Sequence, residues 1–148
     1  MRQSAAIVYE TDFYAWTQQQ VNLLRSEAFE EVDVPNLIEE LEGMARRERR
    51  ELISRLTVLL GHLLEWQVQS ELRSRSWQST IRSQRLELNL LLDDSPSLRA
   101  TLDEFVTNAY PYALNATIKE TGLILPRFFE SCPYTLDEIL DDDFLPEN

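Results

Sequence analysis

Seven apolar residues, Leu37, Leu41, Met44, Leu52, Leu56, Leu59 and Leu63, recur at helical spacing through the second quarter of this chain. A strand buries every second residue, so it does not accommodate this pattern, whereas one stripe of an α-helix does. Between the two halves of the stripe lies Arg46–Glu51, RRERRE, with no apolar residue. Glu42 and Arg46, Arg47 and Glu51, and Glu51 and Arg55 are each four apart. Such pairs stabilise an exposed helix by about 0.2–0.5 kcal/mol each. The spacing therefore predicts one continuous helix over about 35–68 that passes through solvent; the alternative is two helices joined near Gly43. With glutamates interleaved, RRERRE reads as a solvated helix face rather than a nucleic-acid patch.

The rest of the chain follows the same period. Only three glycines occur in 148 residues, which leaves little material for hairpins or barrel corners. Thr11 or Asp12 is placed to cap a first helix to about Glu27, with Phe13, Trp16, Gln20 and Leu23 or Leu24 on one stripe. Asp33 is the expected N-cap of the long helix, with Pro35 in its first turn, where a missing N–H costs nothing. Ser74 or Ser76 opens a third helix whose buried stripe is Trp77, Ile81, Leu88 and Leu91 or Leu92. Ser95 and Pro96 open a fourth, which Pro111 should kink and Gly122 should close. Thr135 and Glu138 form a capping box for a short last helix, Leu136 to about Leu140. The expectation is a single all-α domain over 1–148: a helical bundle of four main helices, one of them long, plus a short C-terminal helix.

Charge is uneven along that fold. The net value is −12, made of −7 over residues 1–45, +3 over 46–99 and −8 over 100–148. Overall acidity opposes association with phosphate backbones, so nucleic acid is disfavoured as a partner. Thirteen arginines stand against one lysine, Lys119. The planar guanidinium suits fixed pairing with carboxylates or an anion pocket more than a loosely basic surface. The lone cysteine, Cys132, excludes an internal disulfide. No window approaches a membrane span, and MRQSAAIVYE lacks the basic start and apolar run of a leader, so a cytoplasmic protein with no membrane contact is expected.

Chemistry-bearing residues concentrate in GHLLEWQVQSELRSRSWQSTIRSQR, Gly61 to Arg85. His62 and Glu65 share a helix face. Glu39, Glu40 and Glu42 lie roughly 30 Å away along the same helix by its rise, out of reach for a shared metal site. One histidine in the wrong order cannot make a carboxylate-bridged dimetal centre; no metal and no cofactor are expected, a mononuclear site from His62 and nearby acids being the weaker alternative. The simpler role for His62 is a hydrogen bond within a helix interface. Cys132 reads as a small residue in a packed turn, and Phe13, Tyr14 and Trp16 as core. Arg73, Arg75, Trp77, Arg82 and Arg85, with His62, are the anion-binding candidates: guanidiniums flanking a helix start, with Trp66 and Trp77 able to stack on a base or on arginine itself. The competing reading has these arginines pairing with acids of the flanking segments and closing the bundle.

Several segments, taken in order, resemble the bacterial family catalogued as domain of unknown function 29. They are YETDFYAWTQQQVNLLR, VPNLIEELEGM, LLGHLLEWQ, RSRSWQSTIRSQR, DDSPSL, ETGL and CPYTLDEILDDDFLP. The resemblance implies an all-α domain of about this length and no particular activity. Glu65 departs from the lysine common before the tryptophan in that family, which weighs against an essential metal role for it. With no complete catalytic or metal constellation, the leading expectation is a non-enzymatic helical interaction module that self-associates or meets a protein partner. The alternative is binding or hydrolysis of a small anionic ligand, phosphate-bearing, or of a nucleic-acid end, at the arginine cluster with His62.

Overall fold

Asp12 accepts a hydrogen bond from the Ala15 amide (3.1 Å) and so starts α1, Phe13–Arg25. In this computed structural model, which describes residues 7–147, every long element is helical. Helix α2 is Val34–Val68, α3 Arg75–Asp94, α4 Leu102–Thr121 and α5 Leu136–Leu140. The expected all-α architecture, four main helices and a short fifth, is therefore the observed one. No strand occurs among the described residues. The expectation of no leader falls on Met1–Glu10, of which residues 1–6 lie outside the described residues.

Local chemistry accounts for most boundaries. Asp33 accepts from the backbone and side-chain amides of Asn36 at 3.4 and 2.9 Å, covering an orphan donor at the start of α2. Helix α2 is continuous across RRERRE. Of the three expected i,i+4 charge pairs, one is formed among the described residues. Glu51 and Arg55 meet at 3.1 Å, whereas Arg46 reaches Glu39 at 3.7 Å instead of Glu42. Ser74 caps α3 through the Trp77 amide (3.2 Å). Ser95 and Pro96 open a 3₁₀ segment, Pro96–Thr101, rather than α4 itself, which starts at Leu102. Helix α4 runs on through Pro111 and closes at Gly122, whose φ of +69° is the left-handed conformation glycine tolerates. The Thr135–Glu138 capping box is formed in both directions.

Contacts divide the chain into two units, Met1–Arg47 and Glu48–Asn148. The second holds the hydrophobic core. Leu52, Leu56, Leu59, Leu60, Leu63 and Leu64 of α2 are each fully buried, and burial of a leucine stabilises by about 1.5–3 kcal/mol. They pack with Ile81, Leu88 and Leu92 of α3 and with Phe105, Ala109 and Ala113 of α4. The stretch after α4 closes over this core. Tyr110 donates to the Phe129 carbonyl (2.6 Å), Tyr134 donates to Gln67 (2.8 Å), and Ile139 is fully buried.

The first unit is built differently. Trp16 Nε1 donates to the Asp33 carboxylate (2.9 Å), and Gln20 accepts from the Asp33 backbone amide (2.8 Å), so one residue ties α1 to the start of α2. Tyr9 donates a short hydrogen bond to Glu40. Trp16 and Gln20 are the only buried residues among those described in this unit.

Candidate functional site

The arginine-rich stretch separates into structural and exposed members. Arg85 follows Ile81 and precedes Leu88 by the spacing of the buried α3 stripe, and it is 1% exposed. Its Nε donates to the Ile139 carbonyl (2.9 Å) and its Nη2 to the Glu138 carbonyl (3.1 Å). These are last-turn carbonyls of α5, which have no helical donor. Burial pulls the guanidinium below its usual value, and Asp142 and Asp141 oppose that shift. Arg73 donates to the Trp66 carbonyl (2.7 Å) and the Pro146 carbonyl (3.5 Å), and its guanidinium lies 5.1 Å from the Trp66 ring centroid. Of the stacking alternatives, tryptophan on arginine is the one formed. Arg75 and Arg82 are exposed, and Trp77 is half-buried. Arg85 thus ends on backbone carbonyls of α5, and Arg73 on those of Trp66 and Pro146.

His62 is half-buried, and its Nδ1 donates to the Val58 carbonyl one turn back (2.9 Å). Burial pushes Glu65 upward; His62 partly offsets this and Glu120 adds to it. Burial likewise pushes the Cys132 thiol up, away from the thiolate a nucleophile needs. Among the described residues, no group of three or more His, Cys, Asp or Glu side chains is placed to hold a metal ion.

Neither His62 nor any of the candidate arginines lines the three hollows described next, all of them formed by described residues. In the second unit, Glu51, Ser54, Arg55, Val58 and Gln84 surround about 220 Å³. Arg55 there is held by Glu51 (3.1 Å), Gln84 (3.4 Å) and Glu87 (3.7 Å), so its charge is already met. In the first unit, Ile7, Tyr14, Gln18, Gln19 and Asn22 border a hollow of about 620 Å³ with no acid or base on its walls.

The third hollow is a groove of about 220 Å³ between α1 and the start of α2. Phe13, Trp16, Gln20, Val21 and Leu24 form one wall, and Leu37, Glu40, Leu41 and Met44 the other. Clefts for small molecules usually enclose roughly 300–1,000 Å³, so this one suits inserted side chains better. Its rim is unusually apolar for an exposed surface: Phe13 is 49% exposed, Leu41 57% and Met44 55%. Val34 and Ile38 extend the apolar face along α2. Phe13 and Tyr14, expected in a core, are exposed, because α1 turns only Trp16 and Gln20 inward, onto Asp33 at the start of α2. A signal was present. Val34, Leu37, Ile38, Leu41, Met44 and Ala45 make a wider apolar stripe than one thirteen-residue helix can cover.

Fold and site together define an all-α protein with a cored second unit and an apolar groove on its first. The chain belongs to the family described as domain of unknown function DUF29, whose model matches residues 8–145. No curated protein and no solved structure matches it.

Proposed function

We propose that this chain is a non-enzymatic helical protein-interaction module that associates with a second copy of itself through the apolar face of its first unit. The supporting observation is the contrast between two buried residues in that unit and the exposed row Phe13, Leu24, Val34, Ile38, Leu41 and Met44. A segment of this size is marginal without a core of its own, and a large exposed apolar patch marks an interaction surface. Covering it with a second copy supplies the missing burial. An anionic ligand has less support, since Arg73 and Arg85 are engaged by backbone carbonyls. Among the described residues no helix is long and apolar enough to cross a membrane.

Sedimentation velocity over the micromolar range tests this. The wild-type chain is expected to dimerise reversibly, and Leu41→Asp to sediment as a monomer of unchanged helicity. A wild-type chain that stays monomeric throughout that range overturns the reading.

A further inference from the structure

We propose that the second copy fills the groove of the first unit with an exposed ridge of its α3, Arg82, Leu86 and Leu90, so that each copy gives one ridge and receives one. This rests on the self-association reading above and names the surface that meets the groove.

The ridge breaks the pattern of its own helix. Ile81, Arg85, Leu88 and Leu92 of α3 turn inward, while Arg75, Gln78, Ser79 and Ser83 are exposed, as polar residues should be. Leu86 and Leu90 are apolar yet 58% and 51% exposed. With Arg82 they stand four residues apart, and such i±4 rows are the ridges that pack into grooves between helices. At 1.5 Å per residue the ridge spans about 12 Å, against about 10 Å for the wall that residues 37–44 give the groove. Laying an apolar helix face into an apolar groove is a common mode of recognition.

Charge runs the same way. Tyr9 packs on Phe13 and Trp16, with ring centroids 5.7 and 4.8 Å away, and donates to Glu40, so it sits beside the groove. Glu10, Glu39 and Glu40 gather around it and together push its hydroxyl upward. Arg82, and Arg75 seven residues before it, form no ion pair among the described residues and can meet these carboxylates. Two acids beside the leucines are already engaged, Glu87 by Arg55 (3.7 Å) and Asp93 by Arg99 (2.9 Å). The ridge therefore offers the groove leucine and unpaired arginine. A second α2 is a poorer occupant, because laid over residues 34–44 it brings Glu39, Glu40 and Glu42 of both copies together. An anionic lipid surface would meet residues 1–45, of net charge −7.

Two full-length proteins test the docking. L86D/L90D alters exposed side chains only, so its helicity by circular dichroism should be unchanged. Its dimer dissociation constant by sedimentation velocity is expected to rise on the order of a hundredfold or more, since each leucine is lost twice. The second protein carries the photo-crosslinker p-benzoylphenylalanine at position 13, on the groove rim, and is irradiated as a mixture of isotope-labelled and unlabelled chains. It is expected to join the tryptic peptide 86–99 of the other chain. L86D/L90D dimerising with wild-type affinity overturns the docking and leaves self-association standing, as do crosslinks that run to α1 or α2 or stay within one chain. A wild-type monomer overturns both.

Discussion

Replacing Arg85 by methionine is the sharpest test of how the C-terminal segment is held. The guanidinium is 1% exposed and donates at 2.9 and 3.1 Å to the carbonyls of Ile139 and Glu138. Methionine fills a comparable volume, so the main loss is hydrogen bonding rather than a cavity. Leaving the buried Ile139 carbonyl unpaired costs about 1–3 kcal/mol, and the half-buried Glu138 carbonyl less. Against that stands the relief of no longer burying a charge, a term that often offsets much of such a network. The net expectation is destabilisation by about 1–3 kcal/mol. At roughly 2–4 °C per kcal/mol for a chain of this size, the midpoint should fall by about 2–12 °C. Arg85→Lys keeps a donor but loses the fork, and should lie between. Urea unfolding by circular dichroism gives the energy. Hydrogen exchange gives the location, since amides of α5 should lose protection before those of α2. If Arg85→Met unfolds at the wild-type midpoint with α5 still protected, these bonds contribute nothing net and the argument is wrong.

Gly122→Ala is expected to cost about 1–2 kcal/mol in thermal or urea unfolding. Its φ is +69° while nothing lies within 4 Å of the added methyl, so the penalty is backbone strain alone. Gly61→Ala should go the other way, stabilising by up to about 1 kcal/mol. There the methyl would meet only Thr117 Oγ1 at 3.9 Å, an ordinary contact, and a glycine leaves the interior of a helix. Asp33 is held below the usual carboxylate range by hydrogen bonds from Asn36 and Trp16, against the opposing effect of burial. A depressed folded value means its contribution is complete above the unfolded value of 3.8, fades below it, and is gone below the folded value. The Trp16 indole N–H resonance should therefore shift on acidification below about pH 4, and in Asp33→Asn it should show no such titration.

Much of the fold was legible because it is written in local terms. The apolar period of α2, the Asp12 and Ser74 caps, the Thr135–Glu138 box and the left-handed Gly122 each involve residues within a turn or two of one another. The continuity of α2 through RRERRE follows from the same cause, since no residue there opposes helix. What local rules could not decide is where a long side chain ends. Arg85 sits on the apolar stripe of α3 in plain view, between Ile81 and Leu88. Yet only the return of Glu138 and Ile139, more than fifty residues later, makes burying it tolerable. Arg73 looked like part of an anion cluster and instead stacks on Trp66 and reaches Pro146.

The exposed groove is the complementary case. Phe13, Leu41 and Met44 carry helical periodicity no different from that of Leu56 or Leu63, and periodicity says only that a residue has a face. Whether that face is covered depends on how much apolar surface other elements bring to it. In the second unit α3, α4 and the C-terminal stretch bring enough to exclude water. In the first, α1 shields Trp16 and Gln20 and leaves the rest of the stripe exposed. Sequence by itself determined the helices, because their causes are short-range. The division between a closed core and an open groove was decided only by tertiary structure, because burial is a property of everything that packs against a residue.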